Sequence, residues 1–213
     1  MLRLMKLPII LLVLMGLPAE AEVTLKIEIA KPPFSSWKGD IRTPNLEPFR
    51  FGKPRPPIVV PDGCDKLISR GCKVSASIPS DSLACVTDGF KEYDSEKVEL
   101  APGVQWIQVD LGAEHEIYAV CIWHYHGEPC VYRDVICQIS NDKDFINGVQ
   151  TVFNNDHDNT AKLGAGRDKE YIETFEGRPF ACKGVKGRYV RFYSNGNTAN
   201  AMNHYTEVEV YGK

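Results

Sequence analysis

The segment Trp106-Ile107-Gln108-Val109-Asp110-Leu111 marks the chain as a β protein, because its apolar residues recur at every second position. In an extended chain successive side chains point to opposite faces, so Ile107, Val109 and Leu111 share one face and Trp106, Gln108 and Asp110 the other. The alternation returns in Val135-Ile136-Cys137-Gln138-Ile139, in Tyr189-Val190-Arg191-Phe192-Tyr193 and in Glu207-Val208-Glu209-Val210-Tyr211. Each reads as a half-buried strand. Between them stand Asp88-Gly89, Leu111-Gly112, Asn141-Asp142, Asn154 to Asn159, Gly164 to Gly166 and Ser194 to Asn200, residue types that turn the chain at little steric cost. No segment sustains a 3.6-residue apolar stripe over three turns, so helix is expected to be scarce. Short antiparallel strands joined by polar loops specify an all-β sandwich or jelly roll.

Upstream of this region the composition changes twice. Arg3 and Lys6 precede an apolar run from Leu7 to Leu17 broken only by Pro8 and Gly16, and Ala19-Glu20-Ala21 carries the small residues of a signal-peptidase site. The run is about half the roughly 20 residues that span a bilayer, so residues 1–21 read as a signal peptide and the protein as secreted, periplasmic or displayed at a cell surface. Residues 22–61 read as a proline-rich extended arm: eight of the 14 prolines lie between Pro32 and Pro61. Proline fixes φ and donates no ladder hydrogen bond, which leaves room for one short strand at Val23–Ile29. Phe34, Trp37, Phe49 and Phe51 favour an arm that packs on the domain over one that dangles. Residues 62–213 form the folded domain.

The whole chain of 213 residues is 43% hydrophobic and 25% charged with a net charge of −3, which excludes a disordered or fibrous protein. The near-neutral balance and the lack of a basic run argue against nucleic acid as a partner. Export permits disulfides, but Cys64, Cys72, Cys85, Cys121, Cys130, Cys137 and Cys182 are seven, so at least one is free or pairs between chains, as in a disulfide-linked dimer. A hairpin turning around Gly127-Glu128-Pro129 would set Cys121 opposite Cys137, either as a cross-strand bridge or as two buried thiols. No CxxC or Cys/His zinc spacing occurs.

Five pieces in order carry a family likeness: Trp106 to Gly112; Ile117-Tyr118-Ala119-Val120; Arg133-Asp134-Val135 leading to Ile139-Ser140-Asn141-Asp142; Gly187-Arg188-Tyr189-Val190-Arg191; and Glu207 to Gly212. Residues 63–213 resemble the discoidin, or coagulation-factor type C, superfamily of galactose-binding-like domains. The resemblance implies an antiparallel eight-stranded jelly-roll β-sandwich with ligand-binding loops at one end, and a binding module in preference to an enzyme. It also implies a structural calcium, held by an early Asp-Gly loop and a Glu on the last strand. Val86-Thr87-Asp88-Gly89 and Glu207 match that pattern, with Asp94 and Ser95 to complete an oxygen shell, although Phe90 stands where a second acidic residue is common. The other reading is a plain Asp-Gly turn.

The segment Trp123-His124-Tyr125-His126-Gly127-Glu128 and the neighbouring Arg133-Asp134 form the second candidate. On a strand His124 and His126 would share a face. Relatives that bind fucose use His and Arg for sugar hydroxyls, and the guanidinium fork suits neighbouring hydroxyls. Three readings stand: sugar binding, a transition metal completed by His157 or His204, or residues that only fix loops. The polar loops Asn154-Asn155-Asp156-His157-Asp158-Asn159 and Ser194 to Tyr205, the latter including Asn203 and His204, would form a glycan recess if they meet the histidine segment. A glycosidase needs two carboxylates about 5–10 Å apart, and Glu128, Asp134, Asp156 and Asp158 qualify by type alone. With no nucleophile elbow present, the reading is a secreted, non-catalytic, lectin-like carbohydrate-binding module; a glycan-active or metal-dependent hydrolase and an adhesion scaffold that binds protein are the alternatives.

Overall fold

A computed structural model describes residues 21–33, 41–48, 50 and 53–213. The signal segment up to residue 20 and the aromatics Phe34, Trp37, Phe49 and Phe51 lie outside the described residues. The strands are β1 (Glu22–Thr24), β2 (Val59–Pro61), β3 (Lys66–Leu67), β4 (Lys73–Ala76), β5 (Val98–Leu100), β6 (Gln105–Trp123), β7 (Ile136–Ser140), β8 (Gln150–Asn154), β9 (Arg178–Ser194), β10 (Asn203–Tyr205) and β11 (Glu207–Gly212), with a short 3₁₀ turn at Leu83–Thr87. Among the described residues there are eleven strands where eight were expected, because the arm contributes β1 and β2 and some strands hold only two or three residues. Among the described residues no helix is long and apolar enough to cross a membrane.

Two long strands organise the molecule. The first part of β6, Gln105–Asp110, pairs with Ser194–Tyr189 of β9; β4 joins its free side, and β7 and then β8 extend the sheet beyond β9. After a break in register between Asp110 and His115, the second part of β6 pairs with Gly187–Arg178 of β9 and, on its other side, with β11, which β3 flanks. Both parts face one core. Ile107, Val109 and Leu111 meet Val190, Phe192, Cys137 and Ile139 from one sheet and Val120, Ile122, Val208 and Val210 from the other. The inward set moves from odd to even numbers along β6 because Tyr118 is an extra residue against β11, and β9 answers with Lys183 and Gly184 at φ of 56° and 79°. Without that bulge Ala119 and Cys121 would face the core in place of Val120 and Ile122.

The described part of the arm packs on the outside of the second sheet. Leu25 is 7% exposed and forms a small apolar cluster with Ala119 and Tyr211, joined by Ile27, Ile58 and Leu67. The strand expected over Val23–Ile29 stops at Thr24. The Leu25 N–H still reaches the Ile58 carbonyl at 2.8 Å, but the next partners in an antiparallel register are Pro57 and Pro56, which have no N–H to give. Burial also corrects the half-buried reading of β11. Glu207 and Glu209 point away from the core yet are 1% and 2% exposed. Glu209 is satisfied there by Lys91 at 2.5 Å and the Tyr211 hydroxyl at 2.6 Å.

The hairpin expected around Pro129 is not formed. β9 lies between β6 and β7, so Cys121 is level with Glu209 and Pro179 while Cys137 is level with Phe192 and Phe153. All seven cysteines are free thiols, six of them buried and Cys72 partly so. A bridge between Cys121 and Cys137 has no geometric basis.

Candidate functional site

Because β6 ends at Trp123, His124 and His126 stand beyond the strand and turn into the protein. His124 is fully buried; its ring stacks on Tyr132 with centroids 4.2 Å apart, and Nδ1 lies 2.5 Å from Oε1 of the equally buried Glu173. His126 is 2% exposed with Nδ1 3.2 Å from the His124 carbonyl. Burial draws the His126 pKa below the ordinary imidazole value. His204 belongs to the same buried layer. Its Nδ1 is 2.8 Å from the Tyr132 hydroxyl and its Nε2 is 3.0 Å from Glu99 Oε2. A carboxylate only accepts, so Nε2 carries the proton and Nδ1 accepts from Tyr132. Burial favours this neutral form by lowering the His204 pKa, against the opposing pull of Glu99. Asn203 is a pin: Oδ1 accepts from Ser194 and the Gly196 N–H, and Nδ2 donates to the Ala101 and Gly103 carbonyls. The shared strand face expected of His124 and His126 is not formed, because the strand ends before them; both rings belong to an interior scaffold under the loops, where Glu173 satisfies His124.

That scaffold supports three interlocked loops. Arg133 exchanges backbone bonds with Gly196 and Asn195, and its Nη1 donates to the Asn197 carbonyl at 2.7 Å. Asn155 accepts the Val135 N–H on Oδ1 at 2.7 Å and gives its own N–H to the Val135 carbonyl. Asn195 Nδ2 donates to Asp134 at 2.8 Å, and Thr198 Oγ1 accepts from Val131. The result brings Arg133, Asp134, Asn155 to Asp158, Asn195 and Asn197 to one place. Arg133 and Asp158 are exposed, whereas Asp156 is buried and takes the Thr160 and Ala161 N–H groups.

Carboxylate oxygens of Asp134, Asp156 and Asp158 all lie within 4.8 Å of one another. Burial, and then repulsion from Asp156 and Asp158, raises the Asp134 pKa despite the bond from Asn195. The Thr160 hydroxyl, Asp156 and the Thr160 N–H hold Asp158 low. His157 is partly buried beside them, and its Nε2 is shielded from water without a partner.

The residues expected to hold calcium divide. Glu207 Oε2 accepts the Gly89 N–H at 3.0 Å and Asp88 Oδ1 accepts from Phe90, so both flank the Asp-Gly turn. Burial pushes the Glu207 carboxyl up to about 8, against the opposing pulls of the Gly89 N–H and the Arg70 guanidinium. Asp94 and Ser95 lie in a separate turn closed by the Ser95 N–H on the Glu92 carbonyl, and the carboxylates of Asp88, Asp94 and Glu207 do not gather within 4.8 Å. The Arg70 guanidinium lies over Gly89, so close that a Cβ there would overlap it. Asp88 and Glu207 thus stand beside the Gly89 turn, over which the Arg70 guanidinium already lies, and Asp94 and Ser95 stand in another turn.

Glu173 and Glu99 escape sequence reasoning. They meet His124 and His204 across 49 and 105 residues, and no local spacing signals such a pair. Arg70 is hidden for the same reason.

No protein-family profile and no curated protein matches the chain. Among solved structures, a family 89 glycoside hydrolase from Clostridium perfringens matches 69% of this chain at 18% identity with a TM-score of 0.53, and this chain spans 14% of that one. The CBM32 module of AlyQ, in complex with 4,5-unsaturated mannuronic acid, matches 65% of this chain and 92% of its own at 20% identity and a TM-score of 0.49. A chitosan-binding module from a chitosanase/glucanase of Paenibacillus sp. IK-5 matches 69% and 99% at 22% identity and a TM-score of 0.46. Taken with the two sheets built on shared long strands, the likeness identifies the fold of this chain as the galactose-binding-like, discoidin-type jelly-roll sandwich.

Proposed function

We propose that the chain is a secreted, non-catalytic glycan-binding module that recognises sugar through the loops around Arg133, Asp134, Asn155 to Asp158 and Asn195. The observation that carries this reading is the locking of three loops into one polar surface at the end of the sandwich, with an exposed guanidinium and carboxylates held by backbone bonds. Fixed donors and acceptors of this kind suit neighbouring sugar hydroxyls, because little side-chain freedom is lost when the ligand arrives. In this reading His124, His126, Asn203 and His204 act from below, as supports. The galactose-binding-like fold, shared with carbohydrate-binding modules, agrees with it. A non-catalytic role is favoured by the spacing of the carboxylates: Asp134, Asp156 and Asp158 sit within 4.8 Å, closer than the roughly 5–10 Å across which a glycosidase pair flanks its bond. Export rests on the signal-like segment at residues 1–21.

A calcium near Asp88 and Glu207 belongs to the same proposal. It would take the place of the proton that burial holds on Glu207 and steady the turn on which Gly89 stands. The test is a glycan-binding screen of the mature full chain with and without calcium, repeated with Arg133→Ala and Asp158→Asn. Loss of binding in both variants with unchanged thermal stability is the expected result. Binding to no glycan, or wild-type binding by both variants, overturns the reading; a melting temperature indifferent to a chelator removes calcium from it.

A further inference from the structure

A recess lies away from the loops, where the arm crosses the start of β9. It measures about 360 Å³ and is walled by Pro56, Pro57, Ile58 and Phe180, with Arg50, Arg55 and Arg178 converging on it. Two carboxylates answer these three guanidinium groups. Glu47 accepts from Arg55 Nη1 at 2.9 Å and from Arg178 Nη1 at 2.6 Å, and Glu176 pairs with Arg50. Among the described residues one positive charge is left over. The Arg178 Nε is shielded from water and donates to nothing, and a buried donor without an acceptor is costly. The Arg178 guanidinium is held from behind by the Tyr171 and Phe153 rings at 4.8 and 5.4 Å, so it cannot swing out to solvent without losing those contacts. Burial, and after it repulsion from Arg178, draws Arg55 below the ordinary arginine value even with Glu47 beside it. The like charges are incompletely relieved.

We propose that this recess is an anion site that takes the carboxylate or sulfate group of a small acidic sugar, with Arg178 and Arg55 holding the oxyanion and the Pro56, Pro57 and Phe180 wall receiving the apolar face of the ring. A planar guanidinium fork matches two oxygens of one oxyanion. A single surplus charge matches a singly charged group. Because part of the recess comes from the arm, the domain alone does not build it. The site shares no residue with the Arg133 and Asp158 surface and stands or falls independently of it.

Calorimetric titration of the mature full chain with D-galacturonate, D-galactose 6-sulfate and neutral D-galactose tests the proposal. At least one acidic sugar is expected to bind more tightly than galactose, with affinity falling as salt is raised. Which of the two binds tells carboxylate from sulfate. Arg178→Gln is expected to weaken that binding about tenfold or more, and Lys186→Gln, an exposed cation of β9 paired with Glu116 and outside both sites, to leave it unchanged. Should Arg178→Gln fail to fold, Arg50→Gln, at the rim of the recess, replaces it and is expected to weaken binding severalfold. Acidic sugars that bind no better than galactose, or acidic-sugar binding indifferent to the arginine substitution, overturn the proposal.

Discussion

Replacing Glu173 with alanine tests whether the buried layer under the loops holds them in place. Glu173 and His124 both have side chains at 0% exposure and meet at 2.5 Å. Truncating Glu173 leaves His124 Nδ1–H without an acceptor, in a ring whose Nε2 already has no partner. An orphaned buried donor costs about 1–3 kcal/mol, and truncating the carboxylate side chain also empties part of a packed interior. A loss of about 3 kcal/mol is expected for Glu173→Ala, at the upper end of that range. In a chain of this size each kcal/mol moves the melting temperature by roughly 2–4 °C, so the midpoint should fall by about 6–12 °C. Glu173→Gln keeps a carbonyl acceptor and should recover more than half of that loss. A double-mutant cycle with His124→Ala isolates the pair, and urea unfolding of the four proteins supplies the free energies. A coupling energy below about 0.5 kcal/mol, the usual error of additivity, would show that the pair does not hold the layer, as would a Gln variant no more stable than the Ala one.

The same geometry makes three further outcomes testable. Leu25→Ala empties a site that is 7% exposed, and a loss of about 2–4 kcal/mol is expected together with faster proteolysis within residues 22–61; unchanged stability and cleavage would mean that the arm is not docked in solution. His126 and His204 have pKa values lowered by burial, so the folded state binds fewer protons than the unfolded one below the unfolded value of about 6.5. Stability is therefore complete above about pH 6.5 and declines as the pH falls through that value toward the folded pKa values, and His126→Gln should flatten the decline measured by thermal melts between about pH 7 and 5. A His126→Gln slope equal to the wild-type slope would count against it. Gly89→Ala should destabilise the Asp88 turn, since the residue sits at φ of 90° beneath Arg70; a variant that melts with the wild type would show that Arg70 moves aside freely.

Alternation makes the core legible in the sequence: Ile107, Val109, Val190, Phe192, Val208 and Val210 all face inward as their period of two requires. The period says nothing of what lies on the other face. Glu207 and Glu209 read as solvent-facing residues, yet both are interior, and Glu209 is held there by Lys91, brought from more than a hundred residues away. The histidines depart from their pattern for a related reason. Trp123-His124-Tyr125-His126 continues the alternation of β6, but hydrogen-bonded pairing ends at Trp123, where the Glu207 partner ends too. Beyond Trp123 the path of the chain is shaped by Glu173 and Tyr132, neither of which is signalled by spacing.

The same contrast explains why the polar loops are the better guide to the surface. Asn and Asp bond backbone groups close by in sequence or across a loop junction, as Asn155 does with Val135 and Asn197 with Ala199 and Asn200. Such bonds depend on residue type, so a run of Asn and Asp announces a rigid loop even when its partners are unknown. Buried histidine needs a specific acceptor, and the acceptor comes from wherever the topology brings one. In a sandwich whose two sheets share β6 and β9, that topology places Glu173, near the end of the β8–β9 connection, beside the end of β6, so the support of the loops is set by the path of the long strands. A substitution that straightens β9 at Lys183 and Gly184 should therefore disturb the Arg133 surface without touching it.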